Sequence, residues 1–310
     1  MQNSTGLALN LKAEFFFQQG VRRVKAEKYA AAIAPLDKAL KCKPNYADAW
    51  SQRAIALGNL GRHEEAIASF DKALAIRPNA SLLWHNRSIA LGKLGRYFEA
   101  INGFDRAIEF DPNSCTVWHS RGITLSDWGH YEKAVASFER SLKLQPDAYW
   151  AWYNRGNALG KLRRYFEALN SFERAIEFKP DAILAWHNRG ITLSDWGRYE
   201  KAIASFNRAL EIQPDYYQAW FNRGVALAKL GDNEQAIASF DKVISLQPGD
   251  VVAWYNKACC YAMLGNVDLA IENSQQAIKL NAEEYREIGK KDSKFEKIRQ
   301  DGRFQALIQG

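Results

Sequence analysis

Several things are scarce in this 310-residue chain, and each scarcity removes a class of protein. Cysteine occurs four times, at Cys42, Cys115, Cys259 and Cys260, with no Cys-x-x-Cys pair. That argues against a disulfide framework or a zinc knuckle and leaves thiols suited to a reducing compartment. No apolar run approaches the ~20 residues needed to span a bilayer. The stretch from Met1 to Lys12 lacks the basic start and long apolar run of a secretory signal. The chain is therefore expected in the cytoplasm, with no membrane insertion. Catalytic motifs are missing as well: no Walker motif, His-Glu-x-x-His, Gly-x-Ser-x-Gly or dinucleotide fingerprint occurs. Neither a cofactor nor a metal is expected, and the chain is not expected to be an enzyme.

What the chain has instead is a period. Tryptophans fall at 50, 84, 118, 152, 186, 220 and 254, a step of 34 residues (84 − 50). Seven of the eight prolines, Pro44, Pro78, Pro112, Pro146, Pro180, Pro214 and Pro248, keep the same step. A fixed period of this length means stacked structural repeats. The windows are 13–46, 47–80, 81–114, 115–148, 149–182, 183–216, 217–250 and 251–284, with Phe16 in the tryptophan position of the first. Residues 1–12 form an N-terminal segment and residues 285–310 a C-terminal one.

Within a window, apolar or small residues sit at positions 4, 8, 11, 17, 20, 21, 24, 27 and 28. In the 183–216 copy these are Trp186, Gly190, Leu193, Tyr199, Ala202, Ile203, Phe206, Ala209 and Leu210. Steps of three and four predict two amphipathic helices per repeat. A left-handed glycine ends the first helix and the proline stops the second. One helix pair cannot cover its own apolar face, so neighbouring pairs must cover it. The expected fold class is all-α, a solenoid of stacked helix pairs. Trp128 and Trp196, at position 14, are expected in the core; Trp150 does not fit the periodic set and is expected at the surface.

The pattern Trp, Gly, Tyr, Ala, Phe, Ala and Pro at positions 4, 8, 17, 20, 24, 27 and 32 resembles the tetratricopeptide repeat (TPR) family over residues 13–284. That resemblance implies a right-handed superhelix of helix pairs, first helices on the inner wall, and a protein or peptide partner held in the concave groove. The chain departs from the family pattern at several places. Arg163 replaces one turn glycine, Pro35 falls inside the second helix of the first repeat, and Ser274 and Ala282 replace the last Phe and Pro. Pro35 is expected to remove one helical hydrogen bond and bend that helix.

A longer period overlies the first. RGITLSDWG runs from Arg121 to Gly129 and again from Arg189 to Gly197, and RYFEA from Arg96 to Ala100 and from Arg164 to Ala168. Both offsets are two repeats, so the middle of the array grew by duplicating a pair. Position 13 alternates in sign through Lys93, Asp127, Lys161, Asp195 and Lys229. Beyond residue 284, Ser293-Lys294-Phe295-Glu296 has the form of a capping box. Phe295, Ile298, Phe304, Leu307 and Ile308 form an apolar stripe expected to cover the final repeat.

Candidate binding residues lie on the first helices. Position 6 is Asn86, Asn154, Asn188, Asn222 and Asn256. Two places beyond the tryptophan lies about 200° around the helix, away from the packed core. These amides are expected to form a row that grips the backbone of an extended peptide, since an amide both donates and accepts. The row resembles the asparagine ladder in the repeat domain of a glycosyltransferase. Selectivity is expected from His85, His119, Trp150, Tyr153, His187, Phe221 and Tyr255. Another family branch grips a C-terminal carboxylate with Lys at position 5 and Asn at position 9. Position 5 here carries no Lys and only Asn157 matches position 9, so no preference for a free C-terminus is expected. The histidines at position 5 lie too far apart to share one metal ion, given helix spacings of ~8–10 Å and metal–ligand bonds of ~2.1 Å.

The function expected is a noncatalytic scaffold or adaptor that binds a partner protein segment, with self-association through terminal repeats as a possible addition. Two alternatives remain. Arginine recurs at position 7, and a basic ladder would suit single-stranded nucleic acid. Net charge is +7, but 35 acidic residues are interspersed with 42 basic ones, so nucleic acid is the weaker reading. The chain would alternatively serve as the targeting subunit of an enzyme complex.

Overall fold

The tryptophan and proline series meet in space. In the computed structural model, which describes residues 2–309 and the side chains of 8–309, each periodic indole N–H donates to the carbonyl of the proline six residues earlier. All seven bonds are 2.8–3.1 Å long, from Trp50 to Pro44 through Trp254 to Pro248. Each of these prolines lies in the turn between a second helix and the first helix of the next repeat. The proline ends one repeat, and the indole that opens the next takes up its carbonyl.

The chain divides into two compact units, residues 1–162 and 163–310. The first contains α1 (Gln2–Lys25), α2 (Tyr29–Cys42), α3 (Ala47–Asn59), α4 (His63–Ile76), α5 (Ser81–Lys93), α6 (Tyr97–Phe110), α7 (Cys115–Asp127), α8 (Tyr131–Leu144) and α9 (Tyr149–Lys161). The second contains α10 (Tyr165–Phe178), α11 (Ile183–Asp195), α12 (Tyr199–Ile212), α13 (Tyr217–Leu230), α14 (Asn233–Leu246), α15 (Val251–Met263), α16 (Val267–Leu280) and α17 (Ala282–Lys291). A 3-10 helix (Ser293–Ile298) and α18 (Gly302–Gln309) complete it. No strand occurs among the described residues, and no helix is long and apolar enough to cross a membrane.

Within each unit, consecutive helices of a repeat pack as antiparallel pairs, and each second helix packs on the first helix of the next repeat. In the first unit α3 also touches α5, α5 touches α7 and α7 touches α9; in the second, α11 touches α13 and α13 touches α15. Among the described residues, second helices within a unit make no comparable contact with each other, so the first helices line the inner side of each unit. Phe104, Phe138, Phe172, Phe206 and Phe240, at position 24, are with Phe295 and Phe304 the largest fully buried side chains. The ring of Phe138 lies directly on Gly122, where an added Cβ would sit 2.5 Å from it, and Phe206 lies on Gly190 in the same way. The small residue at position 8 makes room for that ring.

Two departures are compensated locally. The turn glycines adopt φ of 73° to 84°, and Arg163 takes φ 59° in their place. A side chain with a Cβ is strained there by about 1–2 kcal/mol. Pro35 lies buried within α2, which continues through it. Proline has no N–H for the carbonyl four residues back, and the Arg23 guanidinium donates to that Ala31 oxygen at 2.7 Å.

Two expectations about the core need correction. Trp128 and Trp196 are 39% and 40% exposed. Position 14 is the last turn of the first helix, so these indoles lie over Tyr97 and Tyr165 of the preceding repeat at 6.2 Å instead of entering the core. The expected capping box at Ser293 is also displaced by one residue. Asp292 accepts from the Lys294 N–H and opens a 3-10 helix.

Candidate peptide-binding groove

The histidines at position 5 are not isolated. Each bonds to position 6 of the next repeat, 35 residues on. His85 Nε2 meets Ser120 Oγ at 3.0 Å, and the amides of Asn154 and Asn222 donate to His119 Nε2 and His187 Nε2 at 2.9 Å. An amide N–H can donate only to an unprotonated ring nitrogen, so His119 and His187 are neutral. Burial lowers the affinity of all three histidines for a proton, taking His119 down to about 4. Trp150, expected at the surface, is half-buried with its ring 4.1 Å from His119. His187 is 7% exposed, against Tyr216 and Phe206.

The amide row is consequently not a row of open hooks. Asn154 and Asn222 each give one N–H to a histidine, and Asn256 donates to Val252 O of its own helix at 2.9 Å. His187 also bonds to the Asn188 side chain. Asn86 is free of such ties and lines an open depression. Asn86 and Asn154 line depressions on the first helices. Stacking of the repeats brings positions 5 and 6 together, a contact that a single helix does not reveal.

Three adjoining depressions run along the inner side of the first unit, with open volumes of about 290, 230 and 260 Å³. Ile55 and Ile89 line the first, Ile89 and Ile123 the second, and Ile123 with Asn154 and Asn157 the third. The shared isoleucines make the three one trough. Ile89 and Ile123 are 37% and 38% exposed. These position-9 residues escaped the sequence argument, although one signal was present: an apolar residue beside the packed position 8, repeated in Ile55, Ile89, Ile123 and Ile191. Each depression is smaller than the ~300–1,000 Å³ of a small-molecule pocket. Open and joined side by side, they suit side chains of a polypeptide lying across the helices.

The remaining candidates behave differently. Phe221 and Tyr153 are half-buried, and Phe221 packs 5.9 Å from Phe240. Tyr255 is 8% exposed and does not face an open groove. Its hydroxyl donates to Asp292 at 2.8 Å, and its ring packs against Tyr285 and Phe295. The C-terminal segment thus covers the last repeat, with Phe295, Ile298, Phe304 and Ile308 buried on α15 and α16 and Leu307 packed against them. Beneath it, burial pushes the Cys259 thiol up to about 12.

The arginines at position 7 are consumed by the fold. Arg53, Arg87 and Arg121 pair with Asp37, Asp71 and Asp105 at 2.6–2.8 Å, and Arg155 and Arg189 pair with Glu139 and Glu173. The Arg53, Arg121, Arg189 and Arg223 heads also donate to serines on the following helix. Guanidinium groups held from both sides, and 15–20% exposed where they pair, are not a ladder for phosphates.

Antiparallel helix pairs with a trough along their first helices define a helical-repeat interaction protein. Models of the tetratricopeptide repeat match residues 47–80, 81–114, 147–215 and 187–251, and further ones match 125–162, 104–136 and 239–272. The chain belongs to the tetratricopeptide repeat family, whose members mediate protein–protein interactions. Among solved structures it is similar to YrrB, described as a TPR protein with an unusual peptide-binding site, at 27% identity and a TM-score of 0.52 over 58% of this chain and 93% of that one. The C-terminal part of a TPR protein from Cytophaga hutchinsonii shares the fold at 18% identity and a TM-score of 0.65, over 77% of this chain and 98% of that one. An uncharacterized protein of Methanocaldococcus jannaschii is 38% identical over 53 residues, 17% of this chain; the match spans 62% of that relative's length.

Proposed function

We propose that this protein is a noncatalytic scaffold that holds an extended segment of a partner protein in the trough along α3, α5, α7 and α9. The observation that carries the reading is the continuity of the three depressions, floored by half-exposed isoleucines. A monomer that exposes an apolar strip of this kind has a use for it. The peptide-binding site described for YrrB supports the same class of ligand. Ile55, Ile89 and Ile123 supply apolar contact. Asn86 offers a full amide to the ligand backbone, while the Asn154 carbonyl oxygen remains to accept from it. The histidine ties hold successive repeats at fixed spacing, so the trough is formed before the ligand arrives and little ordering is left to oppose binding.

The test is a double substitution, Ile89→Asp with Ile123→Asp, in the full chain. Both side chains are partly exposed, so circular dichroism is expected to show the helices intact. Recovery of the native partner from the source cells is expected to fall at least ~10-fold, since each burial of an isoleucine contributes about 1.5 kcal/mol or more. Unchanged recovery would move the binding site elsewhere.

A further inference from the structure

The charges at position 13 differ from the arginines that recur in the repeats. Arginines at position 7 pair with acids at position 25. Arg62, Arg96 and Arg164 pair with Glu65, Glu99 and Glu167 three residues on. Arg106, Arg174 and Arg208 pair with Glu109, Glu177 and Glu211. Lys93, Asp127 and Lys161 are exposed and, among the described residues, make no ion pair or side-chain hydrogen bond. They are also the charges that bound the trough. Lys93 lines the first and second depressions, Asp127 the second and third, and Lys161 the third. Unpaired charge of alternating sign therefore follows the isoleucine floor, one charge per repeat.

Resting on the trough as the ligand site, we infer that the partner segment carries charges of the opposite order, acid–base–acid, at every third residue, with apolar residues between. First helices of successive repeats lie about 8–10 Å apart. A polyproline II chain has three residues per turn and rises ~3.1 Å per residue, so every third side chain returns to the same side after ~9 Å. One side of such a chain meets Lys93, Asp127 and Lys161, and a second side meets Ile89 and Ile123. A flat β-strand fits less well, because its side chains alternate and every third one points the opposite way. The segment thus has the form acid-apolar-x-base-apolar-x-acid. Alternating rim charges also reject a uniformly acidic or basic segment, because like charges set opposite one another repel.

The probes are two blocked heptapeptides, Glu-Ile-Pro-Lys-Ile-Pro-Glu and Lys-Ile-Pro-Glu-Ile-Pro-Lys, together with a neutral one carrying Gln at the three charged positions. Each is titrated against the full chain by calorimetry at low and high salt. The acid–base–acid peptide is expected to bind about 10-fold more tightly than the neutral one, three exposed pairs at ~0.5 kcal/mol each, and to exceed the charge-swapped peptide by more. The preference is expected to shrink at high salt. In the Lys93→Glu, Asp127→Lys, Lys161→Glu triple variant the order is expected to invert. That variant keeps a net positive charge, so inversion cannot come from the overall field of the protein. Equal binding of the two charged peptides, an order unchanged in the triple variant, or no binding of either overturns the inference. The trough reading fails separately, if bound peptides are unaffected by Ile89→Asp with Ile123→Asp. It survives the loss of the charge pattern if the neutral peptide binds the wild type but not that double variant.

Discussion

Replacing Trp84 by Ala tests how the array holds together. The Trp84 indole packs on two neighbouring apolar clusters, one built on Leu57 and Phe70 and the other on Leu91 and Phe104. It also donates to Pro78 O at 2.8 Å. Truncating a buried tryptophan costs ~3–5 kcal/mol; this ring is half-buried, so about 3 kcal/mol is expected. Trp84→Phe keeps most of the packing, loses the indole bond and should cost only ~0.5–1.5 kcal/mol. Stability in a linear array is a sum of nearest-neighbour terms. The Ala variant should therefore speed amide hydrogen exchange about 100-fold in α3 to α6 and leave α13 to α16 as protected as before. A uniform loss of protection through both units, or a cost below ~1 kcal/mol, would refute the nearest-neighbour reasoning.

Further outcomes follow from the same structure. His85, His119 and His187 bind protons less readily when folded than the ordinary 6.5, so their neutral form is favoured by folding. Stability should be full above pH ~6.5 and decline as pH falls towards 4, with His119 alone accounting for about 2 kcal/mol at pH 5. A urea midpoint that is unchanged or higher at pH 5 than at pH 7.5 would contradict this. Relieving the left-handed strain with Arg163→Gly should raise the melting temperature by a few degrees, for a gain of ~0.5–1 kcal/mol; a lower melting temperature would mean that the Arg163–Tyr165 bond outweighs the strain. Phe295, fully buried, stacks on Phe304 and covers the last repeat. Phe295→Ala should cost ~3–4 kcal/mol and make Cys259 reactive to a thiol reagent, and unaltered labelling kinetics would show that other residues shield the thiol.

The period carried most of the fold into view. Tryptophan and proline at 34-residue steps, with apolar residues at steps of three and four, place sixteen helices without reference to any contact. Contacts that join one repeat to the next were not legible. His119 meets Asn154 only because stacking sets their spacing, and a helical wheel describes one helix at a time. The position-14 tryptophans misled for a related reason. The apolar set ends at position 11, and a residue in the last turn of a helix has no second helix above it to enter. The trough was half visible: Asn86, Asn154 and Asn157 line it as their positions imply. The isoleucines at position 9 lie just outside the packed stripe, and their only signal in the sequence is their recurrence beside position 8.

The central claim, that the trough along α3, α5, α7 and α9 holds the partner, is tested most directly by photo-crosslinking in the source cells. A photoreactive amino acid is placed at Ile123 in one variant and at Glu132, exposed on α8, in another. The account predicts a single partner peptide attached at residue 123, recovered by mass spectrometry, and none at residue 132. The same partner captured at residue 132, with residue 123 silent, would contradict it.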